Sequence, residues 1–343
     1  MTRWIALIAL GAVRLAAQQP TVTTIKSANG ALSEGFRAMP LNETLEAPRG
    51  LHELSDGRVL VTDGRRTVLA DFETGSVQVM PELRAGDLLA LPGDSSIITR
   101  SDGWYFLDGL RSIGMLPSTN PVVRLASSNP TIDGADDKRH ILVELPRTRA
   151  GDSITAVLVD RATGDRQVVA KLWPGNAVQP GTFRPVCQMF ERAVLTGDGW
   201  VAVLRANPYR VDWRSPSGQW TLGAPIRVPL IPMTQHEREV YLEWRARELP
   251  QLPRDTVRSW PATVCPWVGG YGPRATPDGK LVVYRVPTSE APATRYDVLD
   301  RHGRVERQIA MPASDAILGF GRNSVFVVRT EGAKQFLRRH PWP

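Results

Sequence analysis

An eight-residue phrase recurs six times along this chain, and no other feature restricts the fold as tightly. Asp56-Gly57-Arg58-Val59-Leu60-Val61-Thr62-Asp63 is its clearest copy. Residues 93–100 (GDSSIITR), 137–144 (DKRHILVE), 198–205 (DGWVAVLR), 278–285 (DGKLVVYR) and 322–329 (RNSVFVVR) are its echoes. Each opens on turn-forming residues, runs through aliphatic or β-branched ones and closes on a charge, the pattern of a tight turn entering a short buried strand. The copies start at 56, 93, 137, 198, 278 and 322. A unit of about 40 residues is the length of a four-stranded propeller blade.

The flanks agree. An upstream strand is predicted at 50–54, 87–91, 122–126, 192–196, 271–275 and 316–319. A downstream strand is predicted at 68–71, 157–160 and 296–300, each followed by an Asp-to-Gly turn, and a fourth at 77–79 and 304–309. The widest spacing holds residues 234–249 (TQHEREVYLEWRAREL). There Thr234 as N-cap and Glu237 three positions on form a capping box, and Val240, Tyr241 and Trp244 give one apolar side. Framing prolines make this a helical insertion, about 224–270, rather than a hidden blade. The next widest spacing carries a loop at 173–188. The last unit lacks an obvious outer strand, and residues 21–25 (TVTTI) are available to supply one, which removes an exposed edge. The expected fold is all-β: a six-bladed β-propeller over residues 18–343, closed by an N-terminal strand, with one helical insertion between blades four and five.

A length of 343 residues suits one large all-β domain, and 42% hydrophobic residues are ample for its core. Residues 1–17 read as a secretory signal, with Arg3 ahead of the apolar run 4–13 and a small-residue cleavage site at Leu15-Ala16-Ala17. The run is too short to span a bilayer. Arg14, close to the cut, leaves an uncleaved anchor as the alternative. The expected localisation is secreted or periplasmic, with no membrane span after cleavage. In an oxidising compartment the even pair Cys187 and Cys265 predicts a disulfide. It would tie the two long connections together. The net charge is +7, and only five of the 42 basic residues are lysines. There are no Lys/Arg runs and no basic stripe interleaved with aromatics, so a nucleic-acid partner is excluded. A monomer is expected.

Repeats of strand, Asp-Gly, strand, charge, then strand and Asp-x-x-Gly resemble the six-bladed propellers of the TolB-like and NHL-like superfamily. The resemblance covers essentially all of the mature chain. The ending, Gly319-Phe320-Gly321 with Pro341-Trp342, is similar to that of secreted bacterial members. It implies a fold but no single function, since the superfamily includes lactonases, peptide-processing enzymes and binding proteins. It also implies that ligands sit on the face where the second strand of each blade ends. The residues at that position are Asp63, Arg100, Glu144, Arg205, Arg285 and Arg329. On one reading they form an anion-recognising rim, because the guanidinium fork matches carboxylate or phosphate. On the other the ring is architectural, with Arg100 paired to Asp63 and Glu144, and Arg205 to Glu144. The insertion, on the same side, acts as a partial lid or packs against the side of the ring.

Conventional catalytic signals are poor. The histidines at 52, 140, 236, 302 and 340 show no metal-ligand spacing. Asp133, Asp136 and Asp137 resemble a fragment of a calcium loop without its Gly and terminal Glu. No G-x-S-x-G elbow is present. Lactonases of the resembled superfamily hold a divalent metal at inner-strand ends, where an Arg-dominated rim would repel a cation. No catalytic residue, metal or cofactor is assigned. The expected function is recognition of an anionic small molecule, glycan or peptide, or of another envelope or extracellular protein, at an Arg-rich mouth. A lactonase or other hydrolase acting at that mouth is the alternative.

Overall fold

The computed structural model describes residues 21–24, 44–64, 66–83, 86–91, 93–100, 103–115, 131–144, 154–173, 191–248, 260–264, 272–332 and 334–342. The predicted signal, Cys187, Cys265 with their disulfide, and the strand expected at 122–126 lie outside the described residues.

Strand β1 (Thr21–Thr24) precedes a succession of antiparallel meanders. The first is β2 (Pro48–Glu53), β3 (Val59–Asp63), β4 (Arg66–Asp71) and β5 (Ser76–Val79). The second is β6 (Asp87–Ala90), β7 (Ser95–Arg100), β8 (Gly103–Asp108) and β9 (Arg111–Met115). The third is β10 (Thr131–Ala135), β11 (Arg139–Glu144), β12 (Ile154–Asp160) and β13 (Arg166–Leu172). The fourth is β14 (Arg192–Leu195), β15 (Val201–Arg205), β16 (Arg210–Arg214) and β17 (Trp220–Thr221). Helix α1 (Gln235–Glu248) leads to the fifth, β18 (Arg274–Ala275), β19 (Leu281–Arg285), β20 (Thr294–Leu299) and β21 (Val305–Met311). The last is β22 (Asp315–Phe320), β23 (Ser324–Glu331) and β24 (Lys334–Pro341).

Every copy of the repeated phrase thus becomes the second strand of a meander. These strands are apolar at successive positions because both of their faces are buried. Leu60 and Leu69 pack with Ile98 and Leu107, joining the first meander to the second. Ile97 with Leu142 and Val157 joins the second to the third. Val143 with Val203 joins the third to the fourth, and Leu204 and Trp213 with Val283 join the fourth to the fifth. Val282 and Val298 with Val325 join the fifth to the last, and Phe326 with Leu51 and Val59 brings the last back to the first. The result is an all-β arrangement consistent with a propeller.

Neighbouring first strands approach one another closely. Gly134 in β10 bridges in parallel to Leu195 in β14 at a φ of +134°, and a Cβ there would stand 2.2 Å from the Leu195 carbonyl oxygen. Gly134→Ala is therefore expected to cost roughly 2–4 kcal/mol in a denaturant titration, from the strained backbone and the forced separation together. An unchanged midpoint would contradict this contact.

The N-terminal strand differs from expectation. Strand β1 pairs in parallel with β21, Thr21 opposite Arg307 through Thr24 opposite Ala310, and so extends the fifth meander instead of closing the last. Among the described residues it is Leu45 that meets the outer edge of β24, donating its N–H to the Gln335 carbonyl at 2.9 Å. Leu45 is buried with Phe326, Val328 and Leu337. It carries the large apolar side chain that this seam requires, which Thr-Val-Thr-Thr lacks.

Helix α1 forms as predicted, and the Thr234 hydroxyl accepts the Glu237 N–H at 3.3 Å. Glu237 does not complete the capping box. Its carboxylate accepts the Ser289 N–H at 3.1 Å to each oxygen, and the Ser289 hydroxyl as well, which fastens the helix to the β19–β20 loop. Trp244 is buried and stacks on Tyr284 with ring centroids 6.2 Å apart. The helix is thus seated on the fifth meander. No helix among the described residues is long and apolar enough to cross a membrane.

Candidate functional site at the ends of the second strands

The six charged residues that close the repeated phrase occupy equivalent strand positions, but the structure gives them different surroundings. Strands β7 and β11 carry Arg100 and Glu144, whose side chains lie outside the described residues. Asp63 is fully buried. It accepts the N–H groups of Glu46 at 2.8 Å and Ala47 at 2.7 Å, and Arg66 Nε at 3.1 Å. Through these contacts it anchors the chain entering the first meander.

The arginines rest on carboxylates that the sequence reading did not single out. Arg205 donates from Nη1 to Glu191 at 2.8 Å and to the Lys171 carbonyl at 2.9 Å, and from Nε to Asp212 at 3.2 Å. Asp212 also accepts Arg210 Nε at 2.9 Å. Arg329 makes a two-pronged contact with Asp315, at 2.9 and 2.8 Å, and this hydrogen bonding raises its pKa. Arg285 reaches Asp297 at 3.2 Å and lies 5.7 Å from the centroid of the Tyr209 ring. Asp297, 1% exposed, also accepts the Tyr209 hydroxyl at 3.2 Å and Gln308 Nε2 at 2.7 Å. Burial, then the Asp297 charge, pushes the Tyr209 phenol well above its usual range. Arg205 therefore pairs with Glu191 and Asp212, while the Glu144 side chain that the architectural reading gave it lies outside the described residues.

A second guanidinium stands beside Arg285. Arg295 is its cross-strand partner in the β19–β20 register, and the Arg295 guanidinium makes no ion pair or hydrogen bond with the described residues. Burial, then the Arg285 charge, lowers its pKa, and Asp297 only partly offsets them. Like charges directly opposite in a sheet are destabilising. Sequence reasoning missed Asp212, Asp297 and Arg295, although a signal was available. The third strands of the fourth and fifth meanders both carry Arg-x-Asp, as Arg210-Val211-Asp212 and Arg295-Tyr296-Asp297.

On the edge formed by the β10–β11, β12–β13 and β14–β15 turns, a cavity of about 580 Å³ is lined by Asp136, Arg139, Asp160, Asp198 and Pro216 among others. Two of its carboxylates serve their own turns, Asp136 accepting the Lys138 and Arg139 N–H groups and Asp160 those of Ala162 and Thr163, while Asp198 pairs with Arg301. Among the described residues no group of three or more His, Cys, Asp or Glu is gathered as a metal site.

No protein-family model and no curated protein matches the chain. Among solved structures it is similar to a calcium-binding protein, regucalcin, from Agrobacterium tumefaciens, at 11% identity over 94% of this chain and 97% of that one, with a TM-score of 0.46. It is similar to a member of the DUF4221 family from Bacteroides vulgatus at 9% identity, over 88% and 94% of the two chains, TM-score 0.49. A third likeness is to TolB from Acinetobacter baumannii, at 13% identity over 86% of this chain and 54% of that one, TM-score 0.39.

Proposed function

We propose that the chain is an exported six-bladed β-propeller whose second-strand ends form the mouth of a binding site for an anionic ligand: a small molecule, a glycan, a peptide or an acidic face of another protein. The observation that supports this reading is the state of the arginines. Arg205, Arg285 and Arg329 are each fixed on a nearly buried carboxylate, yet keep 22%, 19% and 15% of their side-chain surface exposed. A guanidinium already held in place loses little freedom when an anion docks, and this is what preorganised binding requires.

Calorimetric titration of the purified protein with phosphate, simple carboxylic acids, an acidic peptide and a sulfated glycan tests the reading. At least one of these is expected to bind. In the double variant Arg205→Gln, Arg285→Gln, with its circular dichroism unchanged, that binding weakens by about tenfold or more, the worth of one charge-assisted hydrogen bond. Undiminished binding would move the site away from these strand ends, and turnover of a lactone or ester panel would make it an enzyme's.

A further inference from the structure

The fourth and fifth meanders carry the same constellation with one difference. In the fourth, two guanidiniums, Arg205 and Arg210, meet two carboxylates, Asp212 and Glu191. In the fifth, Arg285 and Arg295 face each other across the strands with only Asp297, whose oxygens already accept Arg285, Tyr209 and Gln308. Among the described residues the fifth meander is therefore one negative charge short of the fourth, and the shortage falls on Arg295, a half-buried cation with no anionic partner there within ion-pair distance.

We propose that Arg285 and Arg295 form a subsite for a single carboxylate group of a ligand, which occupies in the fifth meander the place that the Glu191 side chain takes in the fourth. The excess of one positive charge suits a monoanionic carboxylate better than a doubly charged phosphate, and a pair of guanidiniums gives it the two-pronged donor set that a carboxylate accepts. The wall beside it is aromatic, since Arg285 lies against the Tyr209 ring. The residue after Arg285, Val286, packs with Met233 and Val264 of the insertion. These neighbours fit a carboxylic acid with an apolar body. The inference rests on the anionic-ligand reading and narrows it to this seam.

Thermal unfolding in benzoate, acetate, phosphate or sulfate, each against chloride at equal ionic strength, tests the subsite. Benzoate is expected to raise the wild-type melting temperature, and more so than acetate. Arg295→Gln is expected to weaken the benzoate effect about tenfold, while Arg58→Gln, in an exposed turn away from the second-strand ends, leaves it in place. Equal benzoate response in wild type and Arg295→Gln overturns the subsite, as does a wild-type response to phosphate or sulfate alone, which leaves the broader anionic mouth standing. No response to any anion, here and in the calorimetric panel, removes both.

Discussion

Replacing Asp297 with alanine is expected to lower the unfolding free energy by roughly 3–5 kcal/mol, the cost of breaking a buried ion pair from one side. The carboxylate is 1% exposed and receives three donors, from Arg285, Tyr209 and Gln308. Its removal takes the Asp297 acceptor from the buried Tyr209 hydroxyl and sets Arg285 against Arg295 with no anion between them among the described residues. Both effects act at the seam between the fourth and fifth meanders, where Leu204 and Val283 also meet. An exposed pair calibrates the result. Arg58, 41% exposed beside Asp56, contributes at most about 1 kcal/mol, because solvent screens the pair. Urea midpoints of Asp297→Ala and Arg58→Ala compare the two directly. If they shift equally, the Asp297 network is not the buried structure described above.

The sequence showed the strands more clearly than their partners. A second strand buried on both faces writes itself as an uninterrupted apolar run, so all six phrases were readable as strands, and the aspartate-to-glycine turns marked their ends. The charge closing each phrase was also readable, but not what it touches. Arg205 meets Glu191 fourteen residues upstream and Asp212 seven downstream, and those contacts are set by cross-strand register, which a single chain does not announce. Asp63 looked like Arg205 in sequence and proved to be its opposite, a buried anchor for the N–H groups of Glu46 and Ala47. The docking of β1 on β21 was hidden for a related reason. An isolated four-residue strand has no pattern that selects one open edge over another. Glu237 was read from local helix rules and instead serves a tertiary contact with Ser289, since a longer-range pair of donors outweighs a cap.

Acid is expected to unfold this protein through a histidine before it does so through carboxylates. His140 in β11 is fully buried, and burial first, then the Arg161 charge, lowers its pKa to about 4 against the opposing pull of Asp136. An unfolded chain takes up that proton near the ordinary histidine value of 6.5. Between those two values the unfolded state holds more protons than the folded one. Stability is therefore complete above about 6.5, declines as the pH falls toward 4, and loses roughly 3 kcal/mol from this residue over that interval. Burial moves His52 and His340 in the same direction, so they steepen the same decline. The aspartates act lower on the scale. The Arg58 side chain beside Asp56, and backbone N–H groups on Asp71, hold those carboxyls below 3.8, and their contribution is lost only beneath that value. Urea midpoints at pH 7.5 and 4.5 span the histidine interval and stay above the range of these two aspartates. His140→Leu is expected to remove most of the 3 kcal/mol from the difference, because leucine fills a similar volume beside its cross-strand neighbours Ala135 and Val159 without a proton to take up. A variant as acid-sensitive as the wild type would place the titrating group elsewhere.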